Sequence, residues 1–517
     1  MDAEVLNLRE AAAFMRVSER TLRERAKTGG VPAQRVGREW RFLKRALEDW
    51  LATGGAARAD PRKVSEATGQ LYLPVVEKAT QATKAGFRDT AFTKNRAEPV
   101  HRWVPWVAGF SASFVGEILD RELATRKTLS VLDPFAGVGT TLLEGVKRAC
   151  DVAGFEINPY AALACEVKLD AIRHKPQEVR DAADRLESAL RECVADPTRE
   201  PSCRPPSGFH TRDPFFSPKV ERQMLLLKDC LADEKKAWLR KLLRVAMGSV
   251  MVGVSNYSYE PSLGRRVSAG KSPILDADVP RILRGKLLLM AEDMAVLRAA
   301  HGDSARAAGR VFNEDYLSGA TERLERGSVD VLITSPPYLN NYHYVRNTRP
   351  QMFWLDFAQE AADLRQLEMT SFGKFWQTVR TDDEVPLAFA YPELEAKLAE
   401  LRGLRADKGA YGGPGWANYA ATYFNDCDRF CQVTAQMMKP GGLVVVVIGN
   451  NILQGIEFKT DRFFAHIARR AGFEVQGLHR VRKKRTGSSI VSSSVRVGMT
   501  KKRTELYETA VELRLGT

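Results

Sequence analysis

Residues 130–141, Ser-Val-Leu-Asp-Pro-Phe-Ala-Gly-Val-Gly-Thr-Thr, decide the fold. The apolar run 129–132 reads as a buried strand that stops at Asp133, turns through Pro134, Phe135, Gly137 and Gly139, and restarts as a helix at Thr140. Glycines let backbone pass close to a ligand, and open sheets bind ligands at the C-terminal ends of their strands, where Asp133 stands. A second apolar run, 152–155, ends at Glu156 and Ile157, and Glu156 lies 23 residues after Asp133 (156 − 133). An acidic side chain there is placed to accept two hydrogen bonds from a ribose diol. A dinucleotide enzyme would carry a third glycine where this chain has Leu142, so that reading is disfavoured.

Further short apolar runs at 311–312, 329–333 and 443–448 each end near a turn before a helical pattern, which is the signature of a parallel sheet. About 150 residues separate the second run from the third, far more than a crossover needs, and their pattern is mostly helical. They form an insertion. A second insertion separates Tyr338 from Leu443.

The run 329–333 enters Thr334-Ser335-Pro336-Pro337-Tyr338. Two prolines remove backbone donors and stiffen the turn, so that main-chain carbonyls point into a pocket. An exocyclic amine such as N4 of cytosine is a poor nucleophile because its lone pair is delocalised into the ring. Acceptors at Ser335 and at the carbonyl of Pro336 can hold both N–H bonds and turn the lone pair out of plane, ready for in-line attack on a methyl group. Tyr338 offers a face for a base that has been flipped out of its duplex. No metal is needed, and no cysteine stands here to serve carbon-5 chemistry.

These two segments resemble the motifs of the DNA amino-methyltransferases that use S-adenosyl-L-methionine. The resemblance covers about residues 98–165 and 305–515. It implies a Rossmann-like class I methyltransferase, an α/β fold with a mostly parallel seven-stranded sheet, carrying a helical insertion. It also implies that Asp133, Pro134, Phe135, Gly137, Gly139, Thr140, Glu156 and Ile157 bind the cofactor, that Asp315 accepts from its adenine amine, and that Ser335, Pro336, Pro337 and Tyr338 are catalytic. Gly109-Phe110-Ser111 is similar to the family's motif at the methionine end of the cofactor, so Phe110 and Ser111 join the set; a helix N-terminus capped by Ser111 or Ser113 is the other reading. Serine in the first position resembles the N4-cytosine branch, whereas aspartate marks most N6-adenine enzymes. The glycine motif precedes Ser-Pro-Pro-Tyr here, while many N4-cytosine enzymes have the reverse order, which leaves N6 of adenine open as the target.

The first fifty residues read as a separate unit: a helix over 8–15, a turn with Ser18 as N-cap, a helix over 19–27, a two-strand wing over 31–42 and a closing helix over 43–51. It resembles an excisionase-type winged helix-turn-helix, which implies DNA contact through Arg20, Arg23 and Arg25 on the second helix and Arg38 and Arg41 on the wing. Its expected core is Leu8, Ala12, Phe14, Val17, Leu22, Trp40 and Leu47. The chain therefore divides into 1–52 (DNA-binding), 53–64 (linker), 65–165 (cofactor half), 166–304 (helical insertion, candidate target recognition) and 305–517 (catalytic half). Arg265 and Arg266, in a polar loop of the insertion, are candidate DNA contacts, and the run 480–485 is a candidate phosphate surface.

A net charge of +14 suits a polyanionic partner such as double-stranded DNA. No apolar run is long enough to span a bilayer and the N-terminus lacks a signal-peptide core, so a cytoplasmic, nucleoid-associated protein is expected, as a monomer or homodimer, with a cognate restriction endonuclease as a further partner. Seven cysteines with no CxxC pair indicate neither a zinc site nor a disulfide framework. The competing functions are an RNA methyltransferase with the same pocket and a DNA-binding regulator with an inactive methyltransferase body.

Overall fold

The computed structural model describes residues 5–15, 17–27, 31, 33–36, 39–44, 47, 92–106, 109–259, 263–302, 309–339, 344–484 and 505–517. Two compact units divide the chain, Met1–Leu71 and Tyr72–Thr517.

In the first unit, β1 (Val5–Asn7) leads into a helix Leu8–Phe14, followed by a helix Glu19–Lys27 and the hairpin β2 (Gln34–Val36) and β3 (Glu39–Leu43). β1 pairs with β3, which was not expected, and completes a three-stranded antiparallel sheet in the order β1-β3-β2. Asn7 caps the first helix: its Oδ1 accepts from the Glu10 amide at 3.0 Å while the Glu10 carboxylate accepts from the Asn7 amide at 2.8 Å. Ser18 takes the N-cap role expected of it, accepting from the Thr21 amide at 3.1 Å. Leu6, Ala11, Ala12, Leu22, Ala26, Val31, Phe42 and Leu47 form the core. Phe14, expected inside, lies exposed, with the Lys44 ammonium 5.9 Å from its ring centroid. Of the expected closing helix, Lys44 and Leu47 are described and are helical.

The second unit is built on β4 (Ser130–Asp133), β5 (Asp151–Phe155), the hairpin β6 (Tyr257–Tyr259) and β7 (Leu263–Arg265), β8 (Gly309–Phe312), β9 (Val329–Thr334), β10 (Met438–Gly449), the hairpin β11 (Asn451–Leu453) and β12 (Ile456–Phe458), β13 (Phe473–Lys484) and β14 (Leu506–Leu515). Seven of these form one sheet in the order β13-β14-β10-β9-β4-β5-β8. β14 runs antiparallel between β10 and β13, and the other pairs are parallel. This is the class I methyltransferase topology. The chain starts in mid-sheet at β4, winds outward to β8, then returns to β9 on the other side of β4. That reversal opens a crevice above the tips of β4 and β9, where α/β sheets bind ligands.

Two apolar layers cover the sheet. The helices Thr140–Lys147 and Pro159–Asp170 lie on one face. The first insertion, with helices Pro176–Ala195, Pro218–Ala232, Ala237–Met251 and Val279–His301, joins the same core, since Val179, Leu242, Met247 and Leu287 cluster with Val131, Leu142 and Val152. It is a second layer of the body. The other face carries the helices Tyr316–Arg323, Gly413–Met437 and Thr460–Arg470. Residues 480–484 of the basic run belong to the edge strand β13; Arg485 is outside the description.

Candidate functional site

At the switch point, Asp133 is buried and its Oδ1 accepts from Thr334 Oγ1 at 2.6 Å and from the Phe135 amide at 3.1 Å. Thr141 Oγ1 donates to the carbonyl of Ile333 at 3.2 Å, a second tie between the β4 and β9 sides. Burial pushes the Asp133 carboxyl up to about 6. The glycine loop needs residues without a Cβ: Gly137 has φ 53° and Gly139 φ 82°, and a Cβ on Gly137 would stand 3.1 Å from the Trp106 indole nitrogen.

Glu156 anchors this loop from the tip of β5. One carboxylate oxygen accepts from the Gly137 amide and the other from the Asn158 amide, both at 2.8 Å. Burial raises its carboxyl to about 7. Asn313 Nδ2 donates to the carbonyls of Glu156 at 2.8 Å and Ile157 at 3.1 Å, tying β8 to the same tip. Asp315 caps the helix Tyr316–Arg323 by accepting from the Ser318 amide at 3.1 Å. Behind the loop, Cys165 Sγ donates to the Gly137 carbonyl at 3.1 Å and Lys168 Nζ to the Val138 carbonyl at 2.7 Å.

A cleft opens over these tips. Pro134, Phe135, Gly137, Glu156, Ile157 and Asp315 line it together with Ser335 and Pro337. Residues about 200 positions apart in the chain thus face one space. Pro336 is buried in the turn. Ser335 Oγ donates to Tyr338 Oη at 3.4 Å, and Tyr338 Oη donates to Glu508 Oε1 at 3.2 Å. Burial, with the Glu508 charge beside it, holds the Tyr338 phenol far above its ordinary range. Thr140 is buried at the helix start and lies 3.4 Å from Asn95 Nδ2. Phe110 packs its ring 5.9 Å from Phe114. Ser111 is buried and caps the helix Ala112–Leu123, its Oγ accepting from the Phe114 amide at 3.3 Å.

Sequence reasoning missed part of the wall. Trp106 and Tyr344 line the cleft and stack with ring centroids 6.0 Å apart. Ser371, Phe372, Lys374 and Phe375 reach it from the second insertion, where Gly373 (φ 72°) and Lys374 (φ 46°) make the chain double back. Phe372 meets Phe135 edge-on at 5.1 Å. The signal available was a glycine flanked by aromatics between two helical patterns.

The expected DNA contacts fare differently. Arg23 is exposed, Arg41 pairs with Glu39, and the side chains of Arg20 and Arg25, with all of Arg38, lie outside the description. Arg265 is half-buried and pairs with Asp213 at 3.1 Å. Arg266, expected on a surface, is buried, and its Nε donates to the Ser272 carbonyl at 2.9 Å. It braces the loop from inside, which corrects its assignment as a DNA contact. The β6–β7 hairpin docks on the helix Tyr344–Trp354: Tyr259 Oη donates to the Asn347 carbonyl and the Leu263 amide to Asn347 Oδ1, both at 3.0 Å. Residues 340–343, which follow the Ser335–Tyr338 turn, and 260–262 lie outside the description. In the basic run, Lys483 pairs with Glu505 at 3.2 Å and the Arg480 guanidinium sits 4.0 Å from the Tyr507 ring centroid, so part of that charge is spent within the sheet. Among the described residues, no helix is long and apolar enough to cross a membrane.

The family model described as a helix-turn-helix domain matches residues 5–55. Type II methyltransferase M.BsoBI of Geobacillus stearothermophilus is 21% identical over 462 residues, spanning 81% of this chain and 86% of its own. Type II methyltransferase M.MvaI of Kocuria varians is 23% identical over 390 residues, 73% of this chain and 81% of its own. Type II methyltransferase M.AvaI of Nostoc sp. is 21% identical over 450 residues, 81% and 90% respectively. Among solved structures, the rRNA methyltransferase aviRa of Streptomyces viridochromogenes is 10% identical, spans 79% of this chain and 87% of its own, and has a TM-score of 0.26. The homologues of this chain are therefore Type II methyltransferases, aligned over about four-fifths of its length, and a helix-turn-helix domain stands at its N-terminus.

Proposed function

We propose that this protein is an S-adenosyl-L-methionine-dependent DNA methyltransferase of a restriction–modification system. It transfers a methyl group to the exocyclic amine of a flipped base, N4 of cytosine in the first reading and N6 of adenine in the second, which the order of the two motifs leaves open. The observation that carries this is the shared cleft, which Gly137 and Glu156 line together with Ser335 and Pro337.

The residues fit the cofactor. Gly137 and Gly139 place no Cβ at their two positions, and Phe135, Phe155 and Phe372 offer apolar walls suited to an adenine ring. Glu156 keeps lone pairs beyond those taken by its two amides, which suits a ribose diol; Asp315 suits an adenine amine. Asp133, held by Thr334, supplies buried negative charge near the methionine end, and Phe110 and Ser111 back that end. When bound, S-adenosyl-L-methionine supplies an electrophilic methyl on a sulfonium. Ser335 and the Pro336 carbonyl hold the amine's hydrogens and aim its lone pair, the two prolines fix the turn, and Tyr338 positions the base plane. Residues 1–52, through Arg20, Arg23, Arg25, Arg38 and Arg41, engage the duplex, and the insertion 166–304, with Arg265 on its hairpin, supports target recognition.

The test is to incubate the protein with methyl-tritiated S-adenosyl-L-methionine and unmethylated genomic DNA or total RNA, then digest to nucleosides and resolve them by mass. Label in N4-methylcytosine supports the first reading and label in N6-methyladenine the second. Label in RNA alone, or none, overturns the proposal.

A further inference from the structure

The hydrogen bonds of the catalytic turn run in one direction. Ser335 Oγ donates to Tyr338 Oη, and Tyr338 Oη donates to Glu508 Oε1. Ser335 faces the cleft, Glu508 is buried on β14, and 170 residues of chain separate Tyr338 from Glu508. Because Ser335 gives its hydrogen inward, its lone pairs remain to accept one from the cleft. Each hydroxyl in the chain is therefore polarised toward the carboxylate.

We propose that Ser335, Tyr338 and Glu508 form a relay that carries away the proton the exocyclic amine must lose on methylation, with Glu508 as its terminal acceptor. This rests on the methyltransferase reading above. As the amine nitrogen's lone pair forms the new N–C bond, the methyl–sulfur bond breaks, its electron pair stays on sulfur, and the nitrogen becomes cationic. The nitrogen then passes a proton to Ser335 Oγ, Ser335 passes its own to Tyr338 Oη, and Tyr338 passes its own to the Glu508 carboxylate. The substrate ends neutral and Glu508 ends protonated, to be discharged to solvent through the half-buried Arg482 side of β13. Both O···O distances are long for hydroxyl hydrogen bonds, and catalytic contacts of this kind tighten as substrate closes the site. Glu508 touches no substrate; it is a positioning residue that acts through Tyr338.

Several titratable and polar groups stand around this chain. Arg482 of β13 stands 4.0 Å from Glu508, and on β10 the register partner of Glu508 is Gly449. Asn450 beside it holds Glu457, and Asp461 bonds Tyr507 and Thr509, the chain neighbours of Glu508. Tyr344 and Tyr423 face Tyr338.

Two readouts test the relay. In single-turnover transfer of tritiated methyl to unmethylated genomic DNA, Glu508→Gln should run roughly ten- to a hundredfold slower than wild type, with unchanged affinity for S-adenosyl-L-methionine. Tyr338→Phe, which keeps the ring, should lose a similar factor, and the double variant should lose no more than Tyr338→Phe alone. In the free protein, the ¹³Cζ resonance of Tyr338, assigned by its disappearance in Tyr338→Phe, should shift in Glu508→Gln, where the acceptor of its hydrogen bond changes from a carboxylate to an amide. Full activity in Tyr338→Phe, multiplicative losses in the double variant, or a Tyr338 resonance indifferent to Glu508→Gln would each overturn the relay while leaving the methyltransferase reading intact. Failure of wild type to label DNA would overturn that reading, and the relay with it.

Discussion

Thr334 Oγ1 donates to Asp133 Oδ1 across 2.6 Å, so the last residue of β9 holds the last residue of β4. The tie crosses the point where the sheet reverses its winding. One residue later on the β9 side stands Ser335, and two residues later on the β4 side stands Phe135, both lining the cleft. The bond therefore sets the spacing between the loop that would hold the methyl donor and the turn that would hold the amine.

The two sides of that bond are separable by mutation. Asp133→Ala should weaken S-adenosyl-L-methionine by about tenfold or more, a loss of roughly 1.4 kcal/mol in binding. Ser335→Ala should slow transfer by about a hundredfold or more while leaving cofactor affinity nearly intact, as expected where a group acts only in the transition state. Calorimetric titration of the cofactor and single-turnover transfer measure the two effects. Lost cofactor binding in Ser335→Ala with normal binding in Asp133→Ala would reverse the assignments.

The buried carboxyls give a pH dependence with opposite signs for stability and binding. Burial raises Asp133 to about 6 and Glu156 to about 7, both above their values in an unfolded chain. Their contribution to stability is thus complete below the ordinary carboxylate range and is lost as pH rises through about 6 and then about 7. A ribose diol calls for the ionised form of Glu156, so cofactor affinity should rise through about pH 7 as melting temperature falls. Melting curves and titrations at matched pH values check this, and flat affinity across that range would remove Glu156 from the role.

Gly139 marks how closely the helix Pro159–Asp170 backs the loop. A Cβ there would stand 3.1 Å from Cys165 Sγ, on a backbone with φ +82° that side chains other than glycine rarely adopt. Gly139→Ala should cost about 1–3 kcal/mol of stability from that strain and weaken the cofactor as well. Denaturant unfolding reads the first and titration the second; an unchanged midpoint would mean that the loop yields freely.

The central strands were legible because a parallel strand buried on both faces is a short apolar run, and β4, β5, β9 and β10 all have one. The edge was harder. β13 continues from Phe473 into a basic stretch, which looks like solvent-facing charge until Glu505, Glu508 and Glu512 are seen opposite it. The turn from Ser335 to Tyr338 could be read as the proposed amine-holding site, because the chemistry proposed for it is local. Glu508 could not be, because nothing in the sequence around β14 says which strand will lie beside it. The same holds for Phe372 and Lys374, which enter the cleft through a turn whose destination is set by the packing of Phe372 on Phe135 and Tyr423.

Lys168 is the strangest residue behind the site, and the most testable. Its side chain is fully buried, its Nζ donates to the carbonyls of Val138 at 2.7 Å and His101 at 3.5 Å, and burial lowers it to about 8. A lysine so lowered weakens the fold at neutral pH, since the unfolded chain holds the proton more tightly, and that penalty fades as pH rises through about 8. Charge stability therefore does not account for it, and its hydrogen bonds do. They fix the carbonyl between Gly137 and Gly139 and tie it to residues 101–106, which carry the cleft-lining Trp106. Lys168→Met removes the buried charge but leaves the Val138 carbonyl without its donor, a cost of about 1–3 kcal/mol concentrated on the loop. The expected result is a cofactor dissociation constant raised about tenfold, with transfer at saturating cofactor nearly unchanged. If the dissociation constant holds and transfer collapses instead, Lys168 serves the catalytic turn, and the glycine loop needs no support from behind.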